Sequence, residues 1–240
     1  MTLILFILIN TFAAVFQGVA GFGQGLVATP LSLTILDKNT VLTAVILAGG
    51  VVLNLSLYRR IKEPLNKDLF WPLFIGCVVG MPFGLLILKL LPVGSLKELV
   101  GSLSILLTLT ILFVKIKLTH INKIAPVAGF ISGILQTSAG MAGPPAVLLL
   151  TAGAIDKNSM RKILVVYFFW ISLITLPLYA LSHVLTAQGI LFGLILVPFM
   201  FYGAKFGNEI SAHVPYSWYK ILALVTVGAS GAIAIISGLK

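Results

Sequence analysis

PVAGFISGILQTSAGMAGPP, residues 126–145, is the stretch whose reading decides the fold. It lies inside an uncharged run from Ile124 to Ile155. As a single helix that run would be about 48 Å long, against a hydrocarbon core of about 30 Å. Apolar helix-forming sequence gives way within it to Gln136-Thr137-Ser138, then to Gly140, Gly143, Pro144 and Pro145. The glycines and prolines favour a break. Unpaired backbone amides facing lipid are too costly to survive, so broken backbone at that depth is buried in protein or lines a polar cavity.

Working outward, 59% of the 240 residues are hydrophobic and 9% are charged. A soluble domain carries about 25% charged residues. The charge-free runs are 2–36, 41–57, 69–88, 99–114, 124–155, 163–182, 184–204 and 221–239. Most have the length of a spanning helix, and no ten-residue alternation of a β-barrel appears. The chain reads as one polytopic α-helical membrane domain over 1–240, with no extramembrane domain. A net charge of +10 would suggest nucleic acid in a soluble protein, but here Lys and Arg sit in short loops, where they set orientation. The N-terminal MTLILFILIN lacks a basic leader region and is read as mature sequence. Cys77, the single cysteine, is expected to pack as a small hydrophobe.

Residues 2–36 pose the same problem as 124–155. Their interruption is FQGVAGFGQGLVATP, with Gly18, Gly21, Gly23 and Gly25, then Pro30. A helix to about Gly18, a non-helical tip and a shorter helix from Leu26 to Leu36 fit that pattern. Pro30, Pro144 and Pro145 are read as structural helix breaks. The sequence alone leaves open whether 2–36 is a re-entrant hairpin or one broken span.

The two halves echo each other. LDKNT (36–40) follows the first broken stretch and IDKNS (155–159) the second; at that displacement Gln17 falls on Gln136 and Gly21 on Gly140. A slide of four residues instead matches Gly18 with Gly133, Gly25 with Gly140 and Pro30 with Pro145, and an insertion would reconcile the two registers. Charge tests the topology. If 124–155 crosses once, the 16 Lys and Arg divide 8 to 8 between the two sides; if it returns, they divide 12 to 4. The uneven division is the one the positive-inside rule favours. The expected fold is therefore all-α, with two inverted-topology repeats, 1–118 and 119–240. Each is a broken, re-entrant helical hairpin plus three transmembrane helices, the six full spans being 41–58, 69–90, 97–114, 161–182, 186–204 and 218–239. Loops 58–68, 115–123, 156–162 and 205–220 are expected in the cytoplasm. Inverted repeats with discontinuous helices mark secondary transporters, with substrate near the midplane.

The glycine-rich GVAGFGQGLVATP and its counterpart GILQTSAGMAGPPAVLLL resemble the sulfite exporter TauE/SafE family of membrane permeases, over essentially the whole chain. Family members show a denser glycine pattern before the first proline, which Gln24 interrupts here. The resemblance implies a permease of the bacterial inner membrane that exports sulfite, sulfonates or related small organic anions.

The residues themselves point to an anion. A helix N-terminus presents unpaired amides and a partial positive charge, and glycines let those amides approach a ligand. Helices beginning after Gly25 and after Gly143 would aim two such termini at the interior. The candidate substrate-binding residues are Gly21, Gly23, Gln24, Gly25, Thr29, Gln136, Thr137, Ser138, Gly140 and Gly143. Gln17 and Asn54 either line the path or bond between helices. Alternatively, the small residues serve close helix packing alone. No Asp or Glu lies within an apolar run, which leaves an acid-based proton relay or sodium site unsupported. His183 is expected at the outer interface, and Trp71, Trp170 and Trp218 as interfacial anchors or packing residues. No constellation for catalysis, cofactor or metal emerges. The partners expected are a small anionic substrate, the lipid bilayer and a second copy in a homodimer, without nucleic acid. The competing functions are a cation or neutral-solute permease and a membrane assembly subunit without transport.

Overall fold

The computed structural model of the protein describes residues 1–59, 61–92 and 120–211, together with single positions from 94 to 109 and from 232 to 236. All the regular structure among the described residues is helical. The expected spans 97–114 and 218–239, and Arg60, Lys115, Lys117 and Lys220, lie outside the described residues, but for single positions in those spans.

The first uncharged run forms α1 (Thr2–Ala20) and α2 (Gln24–Ser32), and the central run forms α5 (Ile121–Ala139) and α6 (Gly143–Ala152). Each pair is a hairpin. The Asn10 amide reaches Ser32 Oγ at 3.4 Å, which a straight broken span would place far apart. At the other hairpin a Cβ on Gly153 would meet the Ile121 side chain, so the end of α6 lies beside the start of α5. The chain reverses at Gly21, Gly23 and Gly140, which hold φ values of 80°, 101° and 67°. That left-handed region is inexpensive only for glycine.

The prolines do not make the breaks. Pro144 and Pro145 occupy the first turn of α6, where a missing N–H costs nothing, and Pro30 lies inside α2 near its end.

Four long helices complete the described bundle. These are α3 (Lys38–Tyr58), α4 (Lys67–Leu90), α7 (Lys157–Leu181) and α8 (Ala187–Ser211). Together with α1 they are long and apolar enough to cross a membrane. Ile75, Val79, Phe83 and Leu86 form an exposed apolar stripe down α4, and Trp71 and Trp170 are also about half exposed. The protein is an integral membrane protein. Several charged segments expected as loops are helical. Lys157, Arg161 and Lys162 lie in the first turns of α7, and Lys205 lies within α8, which runs on to Ser211. These charges leave the helices intact: Lys205 is exposed, while Gly207 on the same helix packs against α1.

Two seams hold the bundle with hardly any side chain between backbones. On α4, Gly76, Gly80 and Gly84 face the carbonyls of Pro126, Phe130 and Ile134 on α5. On α8, Gly203 and Gly207 face the carbonyls of Thr11 and Val15 on α1. Small residues at every fourth position are what lets membrane helices approach this closely.

The contacts of one half recur in the other, at the displacement that carries Gln17 to Gln136. Asp37 caps α3 by accepting from the Thr40 N–H, and Asp156 caps α7 by accepting from the Ser159 N–H. Those N–H donors, from Ser159 and then Asn158, hold the Asp156 carboxyl below its usual range. Lys38 donates to the carbonyls of Leu88 and Leu91 at the end of α4, and Lys157 to that of Ser211 at the end of α8. One displacement serves the hairpin tips, the caps and the loops between them, so no insertion is needed. The four-residue slide is one helical turn along the same seam: Gly18 meets the Ala204 carbonyl where its counterpart Thr137 donates to that of Met81, while Gly133 packs one turn earlier on that of Cys77.

These contacts also define two poles. At the first, Lys162 donates to the Ile61 carbonyl and Lys157 to that of Ser211, with Ile121 beside Gly153. At the second, Lys38 caps α4 and Thr40 lies 3.3 Å from Thr186. The described Arg59, Lys62, Lys67, Lys123, Lys157, Arg161, Lys162 and Lys205 belong to the first pole, and Lys38 and Lys89 to the second. The α1–α2 hairpin opens at the second pole and α5–α6 at the first.

Overpacking a seam has a measurable cost. Gly80→Leu and Gly207→Leu each place a side chain against backbone and lower the stability of detergent-solubilised protein by about 1–3 kcal/mol or more. Thermal melting reads this loss, with Gly143→Ala as control, since the nearest atoms to a Cβ there are 3.7 Å away.

Candidate functional site

The tips of the two hairpins meet. A Cβ on Gly25 would overlap the Gly140 carbonyl oxygen, so only glycine permits this approach. Around the contact lies a cleft with about 390 Å³ of empty space, including its open mouth. The first hairpin lines it with Gln17, Gly23, Gln24 and Gly25, the second with Gln136, Gly140, Ala142 and Gly143. Asn54 and Gly50 come from the middle of α3, and Ser172 and Phe168 from α7. None of the lining side chains is ionisable.

The glutamines at the ends of α1 and α5 hold the cleft walls. Gln17 Nε2 donates to Asn54 Oδ1 at 2.6 Å, and Gln136 Nε2 donates to Ser172 Oγ at 3.3 Å. Strict repetition would pair Gln136 with Leu173. The one-residue difference falls after Val45–Leu53 of α3, which is wound as a π-helix and so carries more residues per turn. Asn54 Nδ2 bonds the Gly49 and Gly50 carbonyls of that wide segment at 2.9 and 2.8 Å.

The polarity at the tips is one-sided. At the end of α1, the Gln17 carbonyl accepts from the Gly21 N–H, that of Gly18 from Arg161, and that of Val19 from Ser211. At the end of α5, the Leu135 and Gln136 carbonyls accept from the N–H groups of Met141 and Gly140, and that of Thr137 from the Tyr179 hydroxyl at 2.8 Å. Three carbonyls at the end of each half-helix are thus engaged. The opposite ends, the N-termini of α2 and α6, contribute Gln24, Gly25 and Gly143 to the cleft. First-turn amides have no partner within their own helix. The second tip is braced from below, where Tyr167 donates to Ser132 Oγ at 2.7 Å and Ser132 donates to the Ala142 carbonyl.

The sulfite exporter TauE/SafE family matches residues 6–233 of the chain. The chain belongs to this family. No curated protein and no solved structure matches it.

In this TauE/SafE protein the cleft gathers Gly23, Gln24, Gly25, Gln136, Gly140 and Gly143 of the expected site residues, together with Gln17 and Asn54. It does not gather Gly21, Thr29, Thr137 or Ser138. Gly21 packs on the Arg161 stem, and Thr29 is buried beside Gly140 without a partner for its hydroxyl. Thr137 and Ser138 turn back onto helix carbonyls, of Met81 and Gly133 and of Ile134, because consecutive residues on a helix cannot all face one side. Sequence reasoning missed Ser172, Phe168 and Gly50. Ser172, a lone hydroxyl inside an apolar span, was the signal present.

Alanine substitutions separate these roles. Thr137→Ala and Ser138→Ala leave anion affinity unchanged, whereas Gln136→Ala weakens it several-fold by freeing the cleft wall. Titration calorimetry on purified protein checks both outcomes.

Proposed function

We propose that the chain is a secondary transporter that exports a small sulfur-containing or organic anion across the bacterial inner membrane by alternating access between two inverted repeats, 1–118 and 119–240. The observation that carries this reading is the sorting of helix ends. The N-terminal residues Gln24, Gly25 and Gly143 line the cleft, while three carbonyls at the end of each neighbouring half-helix are already hydrogen-bonded. A cation site would need those carbonyls. An anion needs donors and positive helix ends, which are supplied by the start of α2 and, since Pro144 and Pro145 carry no N–H, by the Gly143 end of α6.

Inversion is supported by the two hairpins opening at opposite poles and by the paired contacts of Lys38 and Lys157. The first pole, rich in Lys and Arg, is the cytoplasmic one in this reading. The family description, sulfite exporter, supplies the direction and the sulfur chemistry.

Two experiments test the reading. In proteoliposomes the wild type carries sulfite or an organosulfonate. Gly25→Ala abolishes that flux by prising the tips apart. Absence of wild-type anion flux overturns the reading. Single cysteines replacing Lys123 and Lys157, in a protein lacking Cys77, are labelled from the same side of the membrane by an impermeant reagent. Labelling from opposite sides removes the inverted arrangement.

A further inference from the structure

The charge that this cleft complements can be counted. The N-termini of α2 and α6 together present roughly one positive charge, and the C-termini of α1 and α5 roughly one negative. Arg161 donates to the Gly18 carbonyl in the last turn of α1 and adds a full positive charge. Lys157 reaches the same end of α1 only through Ser211, outside the cleft lining, so the balance at the two tips themselves is about one positive charge, with no ionisable side chain in that lining.

A second observation points to a ligand. Gln24 stands in the first turn of α2, is 4% exposed and lines the cleft. Its Nε2 has no hydrogen-bond partner. The carboxamide lies against Gly49, where a Cβ would collide with it. An amide donor left unpaired in a buried place is costly, and a bound acceptor removes that cost.

We propose that the cleft selects a singly charged oxyanion, hydrogensulfite or a sulfonate, over a doubly charged one, and that the Gln24 carboxamide is its side-chain donor. This rests on the anion-transport reading above. One charge matches the balance at the tips. A second would sit uncompensated among neutral groups in a medium of low dielectric, where burial of an unpaired charge is strongly unfavourable. The ionisable groups at the first tip are Arg161 and, through Ser211, Lys157, and those at the second are the Tyr167 and Tyr179 hydroxyls, none of which is a residue type that titrates near neutrality. Any pH dependence near neutrality then belongs to the ligand.

The test uses the full chain in nanodiscs of neutral lipid, with methanesulfonate, sulfate and sulfite as probes. Methanesulfonate binds at least roughly tenfold tighter than sulfate, the scale of one hydrogen bond to a charged group. The apparent affinity for sulfite rises several-fold as pH falls through its second ionisation, while that for methanesulfonate stays level. Gln24→Leu loses roughly tenfold in methanesulfonate affinity. Gln24→Met gives the same loss and covers the case in which leucine disturbs folding. Sulfate binding as tight as methanesulfonate, or a level sulfite profile, overturns charge selection and leaves anion transport standing. Undiminished binding in both Gln24 variants removes Gln24 as donor. If none of the three anions binds the wild type, this inference falls with the transport reading.

Discussion

Hydrocarbon offers no hydrogen bonds, and the architecture answers that single deficiency. A helix that stops inside a bilayer leaves several N–H or C=O groups that only the protein can satisfy. In the proposed arrangement two hairpins stop there, and each spends nearby side chains on one kind of end. Arg161, Ser211 and Tyr179 go to carbonyls. The amide ends lie at the cleft, which Gln24, Gly25 and Gly143 line.

The two halves are alike in backbone and unlike in a few side chains. A Cβ on Gly21 would meet Arg161, and one on Gly140 would come close to Leu42, which holds the corresponding place at the start of α3. The guanidinium thus has an apolar counterpart. In the same way Asn54, with donors and acceptor both engaged, corresponds to the simpler Ser172. The scaffold is doubled, but the chemistry attached to it is not, and the cleft has two walls of different character.

Much of this was legible in the residues. Uncharged runs too long for one crossing, interrupted by glycines, marked both breaks, although for 2–36 the sequence left a hairpin and one broken span open, and the LDKNT and IDKNS echoes gave the displacement that the caps obey. The charge count placed Lys123 and Lys157 at one pole, where the Ile121–Gly153 contact puts them. What stayed hidden depends on rotation about a helix axis. Gln136, Thr137 and Ser138 are adjacent letters, yet only Gln136 reaches the cleft. The π-wound segment of α3 was equally hidden, because an extra residue in a turn leaves the hydrophobic pattern unchanged. Prolines misled for a local reason, since at a helix start they initiate rather than interrupt.

The seams carry one more consequence. Backbones touching through glycine have no side-chain cushion to slide on, so α4 with α5 and α1 with α8 each behave as a fused strut. Each strut marries a helix from one half of the sequence to a helix from the other. If transport proceeds by rocking, as proposed, the bodies that move would be composites of both halves of the sequence, with α3 and α7 outside both struts.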